Sequence, residues 1–202
     1  ATYEQLADPK VKGLVCTRSG SHPYNISLFA TVVERLGDAK GEAWLKGVVD
    51  NMARAPKGGD TDQIKAVASG ECGVALTNTY YLARMIKSTK PEDRAVVERI
   101  KVVFPNQGTT GTHINIAGAA VAKHAKNRES AMAFMEFLAT PFAQDYFANG
   151  NNEFAAANGV KIDNAALKAM GGDKFKAEQI PLSVVAKNLT KVQQMLDRVG
   201  YK

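Results

Sequence analysis

Two adjacent tyrosines, Tyr80 and Tyr81, follow the polar run Thr77-Asn78-Thr79 and a short apolar segment, Cys72 to Leu76. A free phenol ionises near pH ~10, so a phenolate exists at neutrality only beside strong positive charge. A hard trivalent cation supplies that charge, and the preference of hard ions for anionic oxygen extends to iron(III). Neighbouring residues in mid-helix point about 100° apart, which makes a strand-to-helix junction the better place for two adjacent rings to converge. Such junctions line the crevice outside the carboxyl ends of parallel strands, where α/β proteins bind ligands. A third phenol, Tyr24, ends the segment Thr17-Arg-Ser-Gly-Ser-His-Pro-Tyr24, which follows another apolar segment, Val11 to Cys16, and should open at the same edge. Three phenolates neutralise the formal charge of iron(III), and because binding releases protons, acid should weaken it.

The loop before Tyr24 has the composition of an anion site. Arg18 can grip carbonate or phosphate through two N–H groups, while Ser19, Ser21 and the amides at the start of the following helix donate to the remaining oxygens. Asn78, two residues before Tyr80, is placed to help, and an anion there would complete the metal's coordination shell.

The elements that must carry these groups alternate short apolar segments with amphipathic ones, the pattern of a parallel sheet covered by helices. Val11–Cys16 reads as the first strand. Ile26, Phe29, Val32, Val33 and Leu36 then recur at helical spacing from Pro23 until Gly37. Ala43, Trp44, Val48 and Met52 mark a second helix with Asp38 as its cap, and Asp60 opens a third that Gly70 closes. Strand Cys72–Leu76, a helix from Asn78, a helix begun by Pro91 and a strand Ile100–Phe104 complete this lobe. Beyond Gly108, Thr112–Val121 reads as an extended strand, Arg128–Leu138 and Pro141–Phe147 as a helical pair, and Asn149–Gly159 as a loop or lobe boundary. Leu189, Val192, Leu196 and Val199 share one face of a last helix that stops at Gly200.

Composition narrows the function classes. Hydrophobic residues make up 45% and charged residues 23%, which suits a folded globular chain, and no apolar run has the ~18 residues a membrane span needs. The net charge of +6 invites a nucleic-acid reading, yet Lys and Arg alternate with Asp and Glu in stretches such as Lys90–Lys101, the pattern of a solvated helix face. No nucleic-acid partner is expected. Ser-His-acid, nucleotide-binding glycine, P-loop and His-rich zinc signatures are all absent, so the chain does not read as an enzyme. His22, His113 and His124 have no spaced partner and read as structural. Cys16 and Cys72 lack metal-finger and redox spacing and are either free thiols or a bridge across neighbouring parallel strands. A bridge would close a 56-residue loop, worth ~4 kcal/mol in the chain-entropy picture, and would imply an oxidising compartment.

Three segments carry a family resemblance: Gly-Val-Ala-Leu-Thr-Asn-Thr-Tyr80-Tyr81-Leu, Cys-Thr-Arg-Ser-Gly-Ser-His-Pro-Tyr24-Asn and His113-Ile-Asn-Ile-Ala-Gly-Ala-Ala-Val-Ala-Lys123. They resemble the periplasmic ferric-iron-binding proteins of ABC importers. The resemblance implies a periplasmic-binding-protein type II-like α/β lobe, with a parallel-rich sheet and flanking helices, plus part of a second lobe. It also implies Tyr80 and Tyr81 as iron ligands, Tyr24 as a third in one branch, and a companion anion such as carbonate. A periplasmic location and delivery to an inner-membrane ABC permease follow from the same resemblance. Family members carry roughly another hundred residues ahead of the matching region, forming most of the first lobe and supplying further ligands. Residues 1–110 and 162–202 would then form the second lobe, and 111–161 the returning segment of the first. Two other functions fit the same scaffold: an anion or small organic solute-binding protein without metal, and a ligand-sensing regulatory domain.

Overall fold

A computed structural model describes residues 1–172 and 174–202. The chain divides into two compact units, Ala1–Asn115 with Phe175–Lys202, and Ile116–Lys174. The first unit opens with short 3-10 turns at Glu4–Ala7 and Pro9–Val11. It continues through β1 (Val15–Cys16), α1 (Pro23–Leu36), α2 (Asp38–Asp50), α3 (Asp60–Ser69), β2 (Val74–Ala75), α4 (Thr79–Ile86) and α5 (Pro91–Val97). The second holds α6 (Arg128–Leu138), α7 (Pro141–Asp145) running into a π-helical turn at Tyr146–Gly150, and α8 (Ala165–Ala169). The last helix, α9 (Leu182–Val199), belongs to the first unit. No described helix is long and apolar enough to cross a membrane.

The core of the first unit is built where the helical periodicities meet. Leu28, Phe29, Val32 and Val33 of α1 pack with Trp44, Leu45 and Val48 of α2 and with Val192, Met195 and Leu196 of α9. Phe29 is fully buried, with Trp44 edge-on at 5.6 Å and Tyr201 at 5.2 Å between ring centroids. Helix ends follow their local chemistry. Pro23 sits in the first turn of α1, Gly70 closes α3 in the left-handed region, and Gly200 does the same for α9. Asp38 is the first residue of α2 rather than its cap; Gly37, at φ 76°, makes the turn and leaves no side chain to cap it.

The sheet is parallel but much shorter than the apolar segments suggest. β1 pairs with β2 in the register Val15↔Val74 and Cys16↔Ala75, and Val15 makes a further parallel bridge to Met52. Val11 lies in a 3-10 turn, because Asp8 caps that turn and Pro9 occupies its first position. Ile100–Phe104 forms no described strand: Phe104 is used for packing, stacked on Phe175 at 4.7 Å. The expected strand at Thr112–Val121 reduces to one parallel bridge, Thr112↔Ala177. Its Ala and Gly residues offer little side chain for a strand to bury. Gly111, at φ 96°, permits the close approach before this bridge; a Cβ there would lie 2.7 Å from the Lys176 carbonyl oxygen. Cys16 and Cys72 are joined in a disulfide, with Cα atoms 5.9 Å apart.

Candidate functional site

The loop after β1 and the start of α4 bring the three phenols together. Tyr24 is the second residue of α1, and Tyr80 and Tyr81 are the second and third of α4. The Tyr24 and Tyr80 hydroxyls are 2.8 Å apart and hydrogen-bonded, and the Tyr80 and Tyr81 rings stack at 4.4 Å with 30° between planes. Convergence therefore occurs inside the first helical turn, with stacking overcoming the angular divergence of neighbouring positions. All three residues are half-buried.

Two guanidinium groups lie against this cluster. Arg18 Cζ is 5.2 Å from the Tyr24 ring centroid, and Arg84 Cζ is 5.2 Å and 5.6 Å from those of Tyr80 and Tyr81. Arg84 had no sequence signal beyond its spacing, four residues after Tyr80 and thus one helical turn along. The phenols do not titrate alike. Burial, then the hydrogen bonds to Tyr24 and Tyr81, push Tyr80 well above the usual phenol range. Tyr81 moves the other way, through its hydrogen bond with Tyr80 against a smaller desolvation effect, and with further help from Tyr24 and Arg18. Tyr81 is accordingly the first of the pair to ionise and Tyr80 the last.

The expected anion residues are arranged less uniformly. Arg18 is ion-paired with Asp60 (Nη1 to Oδ1, 2.8 Å), and its buried Nε lacks a hydrogen-bond partner among the described residues. Ser19 and Ser21 share a hydrogen bond at 2.9 Å. Asn78 precedes α4; its side-chain oxygen accepts from Asn115 Nδ2 at 3.1 Å and its backbone N–H donates to Asp60 Oδ2 at 2.7 Å. Asn25, buried in α1, donates to the carbonyls of Arg18 and Ser19 at 3.0 Å each and so fixes the loop's path. His22 caps α1, its Nδ1 accepting from the Tyr24 N–H at 3.3 Å. That bond needs an unprotonated nitrogen, and burial together with the Arg18 charge pushes the His22 pKa down. His113 is engaged with Ser27 (2.9 Å) and Glu178 (3.6 Å). Asp60, Asn25 and Asn115 were not legible as site residues, because in sequence each is an ordinary helix-start or loop residue. Among the described residues there is no group of three or more His, Cys, Asp or Glu that could hold a metal ion.

The cluster thus places two hydrogen-bonded phenol oxygens, two guanidinium groups and an unpartnered Arg18 Nε between the loop after β1 and the start of α4. Comparisons with known proteins give the family. The bacterial extracellular solute-binding protein family matches residues 1–177, and the chain belongs to that family. It is 43% identical to the Synechocystis iron uptake protein A2 over the whole of this chain, which spans 58% of that relative. Among solved structures, a Trichodesmium protein in complex with iron and citrate superposes with a TM-score of 0.92 at 46% identity, over 100% of this chain and 63% of that one. The ferric binding protein from Campylobacter jejuni gives a TM-score of 0.94 at 39% identity, again over 100% of this chain and 63% of its own. The fold is thus the type II α/β fold of these solute-binding proteins, and the chain spans about three-fifths of their length.

Proposed function

We propose that the chain captures ferric iron through the phenolates of Tyr24, Tyr80 and Tyr81, for delivery to an ABC permease of the inner membrane. The observation that carries this reading is the 2.8 Å separation of the Tyr24 and Tyr80 oxygens. Adjacent oxygens around a small octahedral cation with metal–oxygen bonds of ~2.0 Å lie ~2.8 Å apart, so a metal can bind both oxygens with little movement as the two hydroxyl protons leave. Arg18 and Arg84 favour the ionised rings, and Tyr81 ionises ahead of Tyr80. Relatives named for iron uptake and for ferric binding support the same cargo.

A companion anion belongs to this reading. The unpartnered Arg18 Nε is a donor that carbonate or a citrate carboxylate would satisfy, with Ser19, Ser21 and Asn78 donating to the other oxygens. Residues 1–110 and 162–202 are assigned to the carboxy-terminal lobe and 111–161 to the segment that returns to the first lobe; the compact units, 1–115 with 175–202 and 116–174, divide the chain at slightly different positions. The first lobe's remaining residues are the further partner, and the location is periplasmic, where the disulfide is stable. The chemistry is capture and release; no catalytic step is assigned.

Titration with ferric citrate tests the reading. Phenolate-to-iron(III) charge transfer absorbs visible light, so the protein should turn red to purple with saturable stoichiometry near one. Each phenol that ionises on binding releases a proton, and affinity should fall by up to about tenfold per pH unit per phenol as the solution is acidified. A colourless protein that still binds citrate would support the metal-free anion reading instead.

A further inference from the structure

We propose that Asp60, the first residue of α3, is the positioning residue of the phenol cluster: one carboxylate oxygen holds the Arg18 guanidinium against Tyr24, and the other fixes the start of the helix that carries Tyr80 and Tyr81. The inference rests on the reading of those tyrosines as iron ligands and adds a role for a residue outside the ligand set.

The geometry separates this role from ordinary helix capping. α3 is already capped by Asp62, whose Oδ2 accepts from the Gly59 N–H at 2.7 Å. Asp60 is 1% exposed and uses both oxygens on other elements. Oδ1 takes Arg18 Nη1 at 2.8 Å from the loop after β1, and Oδ2 takes the Asn78 N–H at 2.7 Å from the residue preceding α4. These are the two segments that deliver Tyr24 on one side and Tyr80 with Tyr81 on the other. One buried carboxylate is therefore the shared anchor of both halves of the site. A charge buried to this degree is retained only where it is paired and hydrogen-bonded, and both conditions are met here by groups belonging to the cluster.

The test compares wild type with Asp60→Asn, which keeps the side chain's size and one acceptor for the Asn78 N–H while removing the charge that holds Arg18. Ferric affinity, by competition against citrate, is expected to fall at least about tenfold, and the charge-transfer maximum to move, while thermal unfolding of the metal-free protein remains cooperative. A residue that only stabilised the fold would lower the melting temperature and leave the colour of the loaded protein unchanged; that result, with affinity within twofold of wild type, overturns the proposal. Ring resonances of Tyr24, Tyr80 and Tyr81 in the metal-free proteins give a second readout. If wild type shows no visible band, the iron reading fails, and the ring resonances alone decide the role of Asp60: displaced in Asp60→Asn they support it, unchanged they overturn it. Should Asp60→Asn not fold, Arg18→Gln breaks the same ion pair from its other end and is judged by the same resonances.

Discussion

The double variant Tyr80→Phe, Tyr81→Phe is expected to stay colourless in ferric citrate and to lose affinity on the order of a hundredfold or more for each phenol removed. The rings themselves remain, so the stack at 4.4 Å and the packing of α4 are preserved. What disappears is the two hydroxyl oxygens, along with the Tyr80–Tyr24 hydrogen bond and those of the Tyr81 hydroxyl, each worth about 1 kcal/mol of folding stability. Binding should therefore collapse while the melting temperature falls by only a few degrees, and that split distinguishes ligand loss from misfolding. Tyr24→Phe alone should retain a weaker band at shifted wavelength, since two phenolates remain. Double-variant protein that colours and binds like wild type would remove the phenols from the site altogether.

The second large effect concerns the disulfide. Cys16→Ala with Cys72→Ala releases a 56-residue loop and should lower stability by ~4 kcal/mol, read as a shift of the urea midpoint. Both sulfurs are buried, so part of the loss comes from packing around Ala66. Reduction of the wild-type chain isolates the cross-link contribution, because it leaves both side chains in place. Function should suffer along with stability. Cys16 ends the strand that leads directly into Thr17 and Arg18, and the bridge ties that exit to the strand before Tyr80. A midpoint unchanged to within about 1 kcal/mol after reduction would show that the loop is held by other contacts.

Helices were the legible part of this fold because their signals are local and redundant. Pro23 and Gly37 bracket α1, and Asp60 and Gly70 bracket α3, with apolar residues at the right spacing between them. Strands were legible only as apolar segments. A two-residue parallel pair depends on a distant partner, and nothing in Val11–Cys16 or Ile100–Phe104 says how many of its residues will find one. α6 shows the opposite limit: its apolar period is plain, yet it has no buried residue, and Phe134 and Phe137 stand exposed. The candidate site divides the same way. Phenols and a loop arginine announce themselves by type and position, whereas Asp60 becomes visible only when Arg18 and Asn78, 42 and 18 residues away, are seen to meet at it.

The brace on the Arg18–Tyr24 loop comes from the far end of the chain. Tyr201 shares a 2.7 Å hydrogen bond with the Thr17 hydroxyl, 184 residues earlier, and the Lys202 carbonyl accepts from the Gly20 N–H at 2.9 Å. A side chain at Gly20 would strike the Tyr201 ring, with its Cβ 2.5 Å from Cδ1. At ribosomal speeds of about 5–20 residues per second, the loop emerges roughly 10 to 40 s ahead of the residues that fasten it. A nascent chain thus carries its tyrosines with one half of their seat unfinished until residues 201 and 202 have been made.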